Sequence, residues 1–498
     1  MKQPFFSCID VSEVAHWDAE TDVIVCGFGG AGGTAALEAA RAGTKVILFE
    51  RASGPGGSTG MSSCEMYLGG SGGTRLQKAL GYSDSTENMI AYIMKAFGER
   101  ADVAKVEAYV RGAKEHFDWV EALGVTYKEA VMLDREVVPL SDESLLFTGN
   151  ERTLEFIDAA EPVPRGHVPS HEGDFGGKIF IEALAKAVAD AGVDVQYDAR
   201  VIHLVKEAGT VVGVLTKQEN RVRAVRALRG VVLASGGFIM NEAMRARYIP
   251  WVDQWATPYG NPFDMGDGIR LGVAAGGYTI NMDEAFLSLP IYPPGKLTFG
   301  LMLNQRGDRF VNEDAYLARL AHFSSLQPEQ KIYLLLDAEH YDHPMYLERL
   351  AVVATGDSIE ELAAETQGFP DGALQNTLSE YNRHAQGGHD PVFRKAPEWV
   401  TPLNKGPFAL LDLSFDAQTA VIMPGTRGPL TFSLGGLDTL PTGEVKAWDG
   451  DVIPGLYAAG RVTAGLPRSS QGYASGMSVG DATFFGRQAG KSAAARRG

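Results

Sequence analysis

The chain of 498 residues, 45% hydrophobic and 21% charged with 59 glycines, has the composition of a globular enzyme rich in tight turns, which excludes a disordered or fibrous protein. It is too long for one compact core, so two or three substructures and room for a large cofactor are expected. A formal net charge of −17 excludes nucleic acid and anionic membrane as principal partners, since both repel an acidic surface.

The N-terminal segment carries Asp10, Glu13, Asp18 and Glu20. With no basic start followed by an apolar run, no signal peptide is expected. Nor does an apolar stretch of about 20 residues occur that could span a bilayer. Cys8, Cys26 and Cys64 show neither metal-ligand spacing nor a Cys-x-x-Cys pair, so a reducing, cytoplasmic location and no bound metal are expected. Cys26 sits inside an apolar run and reads as core.

Residues 21–27 (Thr-Asp-Val-Ile-Val-Cys-Gly) read as a buried parallel strand that breaks on glycine, 35–42 as a small-residue helix and 44–50 as the strand closing a βαβ unit. Gly27, Gly29 and Gly32 match the Gly-x-Gly-x-x-Gly fingerprint. Glu50 follows Gly32 by 18 positions, the spacing at which a carboxylate reaches ribose hydroxyls. Gly56-Gly57-Ser58-Thr59 adds amides and hydroxyls just beyond the second strand. Both segments suit a diphosphate, because unpaired amides and a helix dipole face an anion there.

Further along, 101–127 read as helical, about 139–177 as a Pro- and Gly-bearing loop long enough to carry function, and 179–191 as another helix. Residues 193–214 alternate as a hairpin, and 227–238 form a buried strand ending on paired glycines. From 286 to 405 aromatics, proline and charge are scattered without a glycine-terminated strand; this reads as an inserted substrate or capping domain. Residues 431–437, a strand over 455–460 and a closing helix over about 476–489 return to the first domain. The expected division is 1–285 and 406–498 for the cofactor domain and 286–405 for the insert.

These segments, with 234–237 (Ala-Ser-Gly-Gly), Gly266-Asp267-Gly268, 432–437, 456–460 (Leu-Tyr-Ala-Ala-Gly) and Asp481 followed by Phe485-Gly486-Arg487, make nearly the whole chain resemble the succinate dehydrogenase/fumarate reductase flavoprotein superfamily. The resemblance implies an α/β fold: a Rossmann-like FAD-binding domain with an inserted α+β substrate (capping) domain. It assigns FAD contacts to Gly27, Gly29, Gly30, Ala31, Gly32, Glu50, Arg51, Gly57, Ser58, Thr59, Val201, Ser235, Gly236, Asp267, Gly460, Arg461, Gly476, Ser478 and Val479. No histidine adjoins the Gly-Gly-Ser turn, so non-covalent FAD is expected. Fumarate reductases also carry a histidine before their Thr-x-Gly-Gly segment, where this chain reads Gly428-Pro429-Leu430-Thr431. Counted back from the Phe-Gly-Arg ending, their dicarboxylate-gripping arginine falls on Tyr473. A phenol does not replace a guanidinium fork.

A phenol does donate a hydrogen bond to a carbonyl oxygen, which ketone desaturation requires as enolate charge builds there. Tyr473-Ala474-Ser475 ahead of Gly476, with Asn312-Glu313-Asp314-Ala315-Tyr316 in the insert, is similar to the bacterial 3-ketosteroid dehydrogenases, most of all their delta-4(5α) branch. That resemblance makes Ser475 the proton-abstracting group, Tyr316 its relay and Tyr473 the donor to the 3-keto oxygen. A serine hydroxyl is a poor base unless another group takes its proton. Ser475 also fits a helix N-cap, Tyr473 a buried aromatic, and Tyr316 competes with Tyr333, Tyr341 and Tyr346 in the same segment.

An apolar substrate would suit a pocket of Phe286, Leu287, Tyr292, Phe299 and Met302, residues that core packing also explains. Arg165-Gly166-His167, His171-Glu172-Gly173 and Asp264 read as loop structure or, for the last, a flavin-contacting turn. Arg461 stands where many relatives have glutamate. Desaturation at carbons 1 and 2 is an alternative with Tyr67 and Tyr127 as unassigned candidates; reduction of an unsaturated acid is another, with Arg468 the nearby cation. A flavin redox module without catalysis needs neither Tyr473 nor Ser475. No second dinucleotide fingerprint is present, so NAD is not expected to bind in a domain of its own; the resemblance implies that electrons pass to a quinone-like or artificial acceptor.

Overall fold

A computed structural model of the chain describes residues 6–136, 141–172, 175–292, 294–347, 350–418 and 426–497. The apolar run after Thr21 forms the strand Ala19–Cys26, in which Val23, Ile24 and Val25 are fully buried. It lies at the centre of a parallel set ordered Asp194–Gln196, Val46–Phe49, Ala19–Cys26, the second half of Arg221–Leu233, and Val452–Ala458. Burial on both faces explains why the central runs 23–26, Val46–Phe49 and 231–233 are continuously apolar rather than alternating. The first half of Arg221–Leu233 continues outward as an antiparallel meander with Thr210–Gln218 and Ala199–Glu207. The expected hairpin over 193–214 is thus two elements. Asp194–Gln196 pairs with Val46–Phe49, while Ala199–Glu207 and Thr210–Gln218 form the hairpin.

Helix Gly30–Arg41 starts earlier than the sequence pattern placed it, on the fingerprint glycines themselves. It packs on the closing helix Met477–Ala495 through small residues. A side chain at Gly486 would meet the Ala31 carbonyl at 2.4 Å, and one at Gly490 the Ala35 carbonyl at 2.2 Å. This close approach fixes the start of the closing helix beside the start of the first helix. Gly476 caps the closing helix with φ +90°, where a Cβ would lie 2.7 Å from the Tyr67 amide nitrogen, so only glycine fits.

The inserted unit is an antiparallel sheet ordered Leu301–Asn304, Ile332–Leu336, Phe408–Asp412 and Val352–Gly356, covered by helices Ile359–Glu365 and Ala373–Ala385. The boundary expected at 405 cuts this sheet, because Phe408–Asp412 pairs with Ile332–Leu336. Arg309, Glu313, Asp390 and Lys395 form a buried ion network beneath it. A three-stranded sheet of Thr257–Pro258, Leu430–Ser433 and Ala285–Ser288 joins the insert to the cofactor domain. It straddles the other expected boundary at 286. Among the described residues no helix is long and apolar enough to cross a membrane, and no group of three or more His, Cys, Asp or Glu could hold a metal ion.

Candidate active site

A cleft runs along the C-terminal edge of the parallel strands, where open α/β sheets bind their ligands. Its walls include every residue expected to touch FAD except Gly32. Gly32 serves packing instead: a Cβ there would lie 1.8 Å from the Gly27 carbonyl. Gly27 has φ +110°, and a side chain on it would meet the Ala234 carbonyl at 2.5 Å. Across the cleft the second glycine turn folds onto the first, with the Gly56 amide donating to the Phe28 carbonyl at 2.8 Å and Gly30 N–H to Thr59 Oγ1 at 3.2 Å. The helix starting at Gly30 has no side-chain cap, which leaves its dipole to face an anion. Glu50 closes the far end, its carboxyl accepting from the Phe28 and Ala52 amides at 2.6 and 2.7 Å and raised above the ordinary range by burial. Backbone amides, hydroxyls and a helix N-terminus supply donors for a diphosphate, and the Glu50 carboxyl on the cleft wall supplies an acceptor, so the residues fit FAD.

Three cleft contacts lay outside the sequence reading. Asp267, at the start of helix Asp267–Ala274, is held by Arg51 at 3.3 Å and by Nε and Nη2 of Arg200 at 2.9 and 3.0 Å. Arg461 pairs with Asp264 and reaches Ser58 Oγ at 2.5 Å, its guanidinium 5.3 Å over the Phe432 ring. Glu65 is a buried carboxylate on the cleft wall, and its charge raises the phenols of Tyr316 and Tyr473. The one sequence signal for Glu65 was an acid inside the apolar run Cys64-Glu65-Met66-Tyr67-Leu68. Arg200 alternates outward on its strand and carried none.

At the cleft's other end the three expected catalytic residues converge. Ser475 lines the cleft, and its hydroxyl bonds to that of Tyr316. Of the other candidate tyrosines, Tyr333 packs on Phe369 and Tyr341 is exposed. Ser475 is not the N-cap, since Gly476 holds that position. The expected loop of 139–177 supplies the clamp. Ser475 N–H donates to the Thr148 carbonyl at 2.8 Å, Thr148 Oγ1 to the Ser475 carbonyl at 3.1 Å, and Tyr316 N–H to Asn150 Oδ1 at 2.8 Å. Burial holds the Tyr316 phenol well above its ordinary range, Tyr292 and Glu65 adding to the effect. Tyr473 is buried against Phe286 and Phe432, with ring centroids at 4.7 and 5.9 Å, and its hydroxyl donates to Ser478 Oγ at 2.9 Å. Burial pushes its phenol up to about 12.

The remaining candidates lie elsewhere. Arg165 is fully buried and grips Asp84 at 2.7 and 2.8 Å; His167 bonds Thr74 Oγ1 and the Arg165 carbonyl, both at 2.8 Å. Both are structural. His171 meets Phe175 ring to ring at 6.1 Å, and Gly173 lies outside the described residues. Arg468 is sealed against Asp102 at 3.4 Å and does not line the cleft. Tyr67 donates to Glu151 at 2.8 Å, Tyr127 packs on Phe117 at 4.9 Å, and neither opens on the cleft. Of the expected apolar pocket, Phe286 packs on Tyr473, whereas Leu287 and Met302 are core, Phe299 packs on Trp399, and Tyr292 lines a separate cavity. An alternating strand shows one face inward, but not which cavity that face borders.

The sequence profile of the FAD binding domain family matches residues 22–477. A solved structure of 3-ketosteroid-delta4-(5alpha)-dehydrogenase from Rhodococcus jostii RHA1, in complex with 4-androstene-3,17-dione, superposes with a TM-score of 0.90 at 38% identity, covering 98% of this chain and 100% of that one. The 3-oxo-5-alpha-steroid 4-dehydrogenase of Comamonas testosteroni is 26% identical over 92% of this chain and 96% of its own. A probable fumarate reductase of Shewanella frigidimarina is 28% identical over 95% of this chain and 75% of its own.

Proposed function

The chain belongs to the FAD-binding flavoprotein family of fumarate reductase type, and from that premise we propose that it oxidises 3-keto-5α-steroids by introducing the double bond between carbons 4 and 5. The observation that carries the reading is the hydroxyl pair of Ser475 and Tyr316 beside Tyr473, all at the start of the closing helix. The likeness to a delta-4 enzyme solved with its steroid supports it.

In this reading Ser475 takes the proton from the carbon next to the ketone, and Tyr316 accepts the proton that Ser475 cannot keep. Tyr473 turns its hydroxyl from Ser478 to the ketone oxygen and stabilises the enolate charge. It stays a donor because burial keeps it protonated far above neutrality. Phe286 and Phe432 hold its ring, and the clamp from Thr148 and Asn150 fixes the other two groups, so orientation is set before substrate arrives. Bound without a covalent link, FAD would supply the acceptor for the hydride leaving the neighbouring carbon, with a quinone-like compound as the eventual electron acceptor.

The competing reactions find less support. A dicarboxylate needs a cation at the reacting end, and Arg468 is paired with Asp102 outside the cleft. Desaturation at carbons 1 and 2 lacks a cleft-facing tyrosine at position 67 or 127. Product analysis tests the assignment: a 4-ene from a saturated 3-keto-5α-steroid supports it, and a 1-ene alone contradicts it.

A further inference from the structure

Tyr316 meets Ser475 on the cleft side and also lines a second cavity of about 40 Å³, bounded by Arg135, Glu136, Glu151, Arg152 and Asp314 among others. That volume has room for about three or four waters at roughly 10–15 Å³ each. Two polar atoms of its wall residues, Glu136 Oε2 and Arg135 Nε, are buried without a protein partner, a condition that ordered water satisfies. Of the cavity's two glutamates, Glu151 has both oxygens engaged, by the Tyr67 hydroxyl and the Gly149 amide, each at 2.8 Å. Glu136 keeps Oε2 available, and partial burial with Asp134 nearby pushes its carboxyl up to about 7. Arg135 donates to the carbonyls of Asp314 and Ala315 and stacks 4.1 Å over Tyr292. It therefore fastens Glu136 to the segment that carries Tyr316.

We propose that Glu136 is the group through which the abstracted proton leaves the protein, receiving it from Tyr316 across the second cavity. The inference rests on the roles given above to Ser475 and Tyr316. When the carbon–hydrogen bond breaks, its electron pair stays on the substrate as the enolate. The proton goes to the Ser475 oxygen as Ser475's own proton moves to Tyr316. Tyr316 in turn passes its hydroxyl proton through cavity water to the Glu136 carboxylate, which releases it to solvent. Neither hydroxyl is left charged. Glu136 touches neither substrate nor cofactor and is a positioning residue for proton exit. The groups facing it are Asp134 and Arg135 on its own loop, Glu151 and Arg152 from the clamp loop with Glu398 paired to Arg152, and Tyr292, Asp314 and Tyr316 from the insert.

The test compares wild-type holoenzyme with Glu136→Gln and Glu136→Ala, measuring kcat and KM for a saturated 3-keto-5α-steroid across neutrality, with and without imidazole. The expected fall in kcat is about tenfold, less than the roughly 10²–10⁴ supplied by a group at the reacting atom, with KM unchanged. The acid limb of the wild-type kcat profile disappears in both variants, and imidazole restores the alanine variant. Wild-type kcat and pH profile in both variants, or a fall that imidazole leaves untouched, overturns the inference while the dehydrogenase reading stands. A wild-type enzyme inert to the steroid defeats that reading and the inference with it.

Discussion

Tyr316 and Ser475, 159 positions apart in the chain, share a hydrogen bond between their hydroxyls where the inserted unit meets the start of the closing helix. Neither hydroxyl is acidic or basic alone near neutrality. Their pairing makes a proton transferable, because removing it from Ser475 is coupled to accepting it on Tyr316.

Ser475→Ala and Tyr316→Phe are expected to lower the rate of flavin reduction by steroid by ~10²–10⁴ while flavin content stays at the wild-type level. The double variant should be no slower than the worse single one, since the pair acts as a unit. Stopped-flow absorbance of the three holoenzymes checks this, and additive losses would argue against a shared relay.

Tyr473→Phe removes the donor to the ketone oxygen and should cost ~10²–10³ in kcat. The sign of its pH dependence follows from a phenol raised to about 12. Tyr473 must be protonated to donate, so it remains competent below that value, and its loss appears only as pH rises through it. An alkaline limb near the ordinary phenol value of about 10 in wild type would place Tyr473 in a more polar setting than the cleft provides.

Gly27→Ala should release FAD and lower Tm. Its φ of +110° and a Cβ 2.5 Å from the Ala234 carbonyl leave no room for a methyl group, at a cost of about 1–3 kcal/mol in backbone strain alone. The ratio of flavin to protein absorbance after purification, read beside a thermal melt, checks both effects.

Much of this architecture was legible in the chain because its signals are local. Strand, glycine turn, helix and strand follow one another from Ala19 to Phe49, and steric need for glycine shows directly as glycine. Tyr473 and Ser475 were legible for the same reason, lying two residues apart ahead of a helix-starting Gly476. Partners from distant segments were not. Nothing local to Thr148 or Asn150 signals that they clamp Ser475 and Tyr316, and Arg200 meets Asp267 only because the meander folds beside that helix. The edge of the insert was misread at 405 because Phe408–Asp412 is an apolar run that serves either sheet equally well; pairing with Ile332–Leu336 decides it.

Acid should destabilise the fold. Burial holds His167 and His322 down to about 4, and His116 well below its ordinary value. The unfolded chain takes up protons near 6.5 while the folded one resists. The contribution of these neutral histidines is therefore complete above that value and is lost as pH falls toward 4. Thermal melts across this window should show a falling Tm, and His167→Gln should flatten the trend.

The most direct measurement is the anaerobic absorbance spectrum of the yellow holoenzyme before and after a saturated 3-keto-5α-steroid is added, with the product identified by mass and retention. Bleaching of the oxidised flavin with appearance of the 4-ene is the predicted result. An unchanged spectrum, together with reoxidation of dithionite-reduced enzyme by an unsaturated acid or enone, would contradict the account and mark the protein as a reductase.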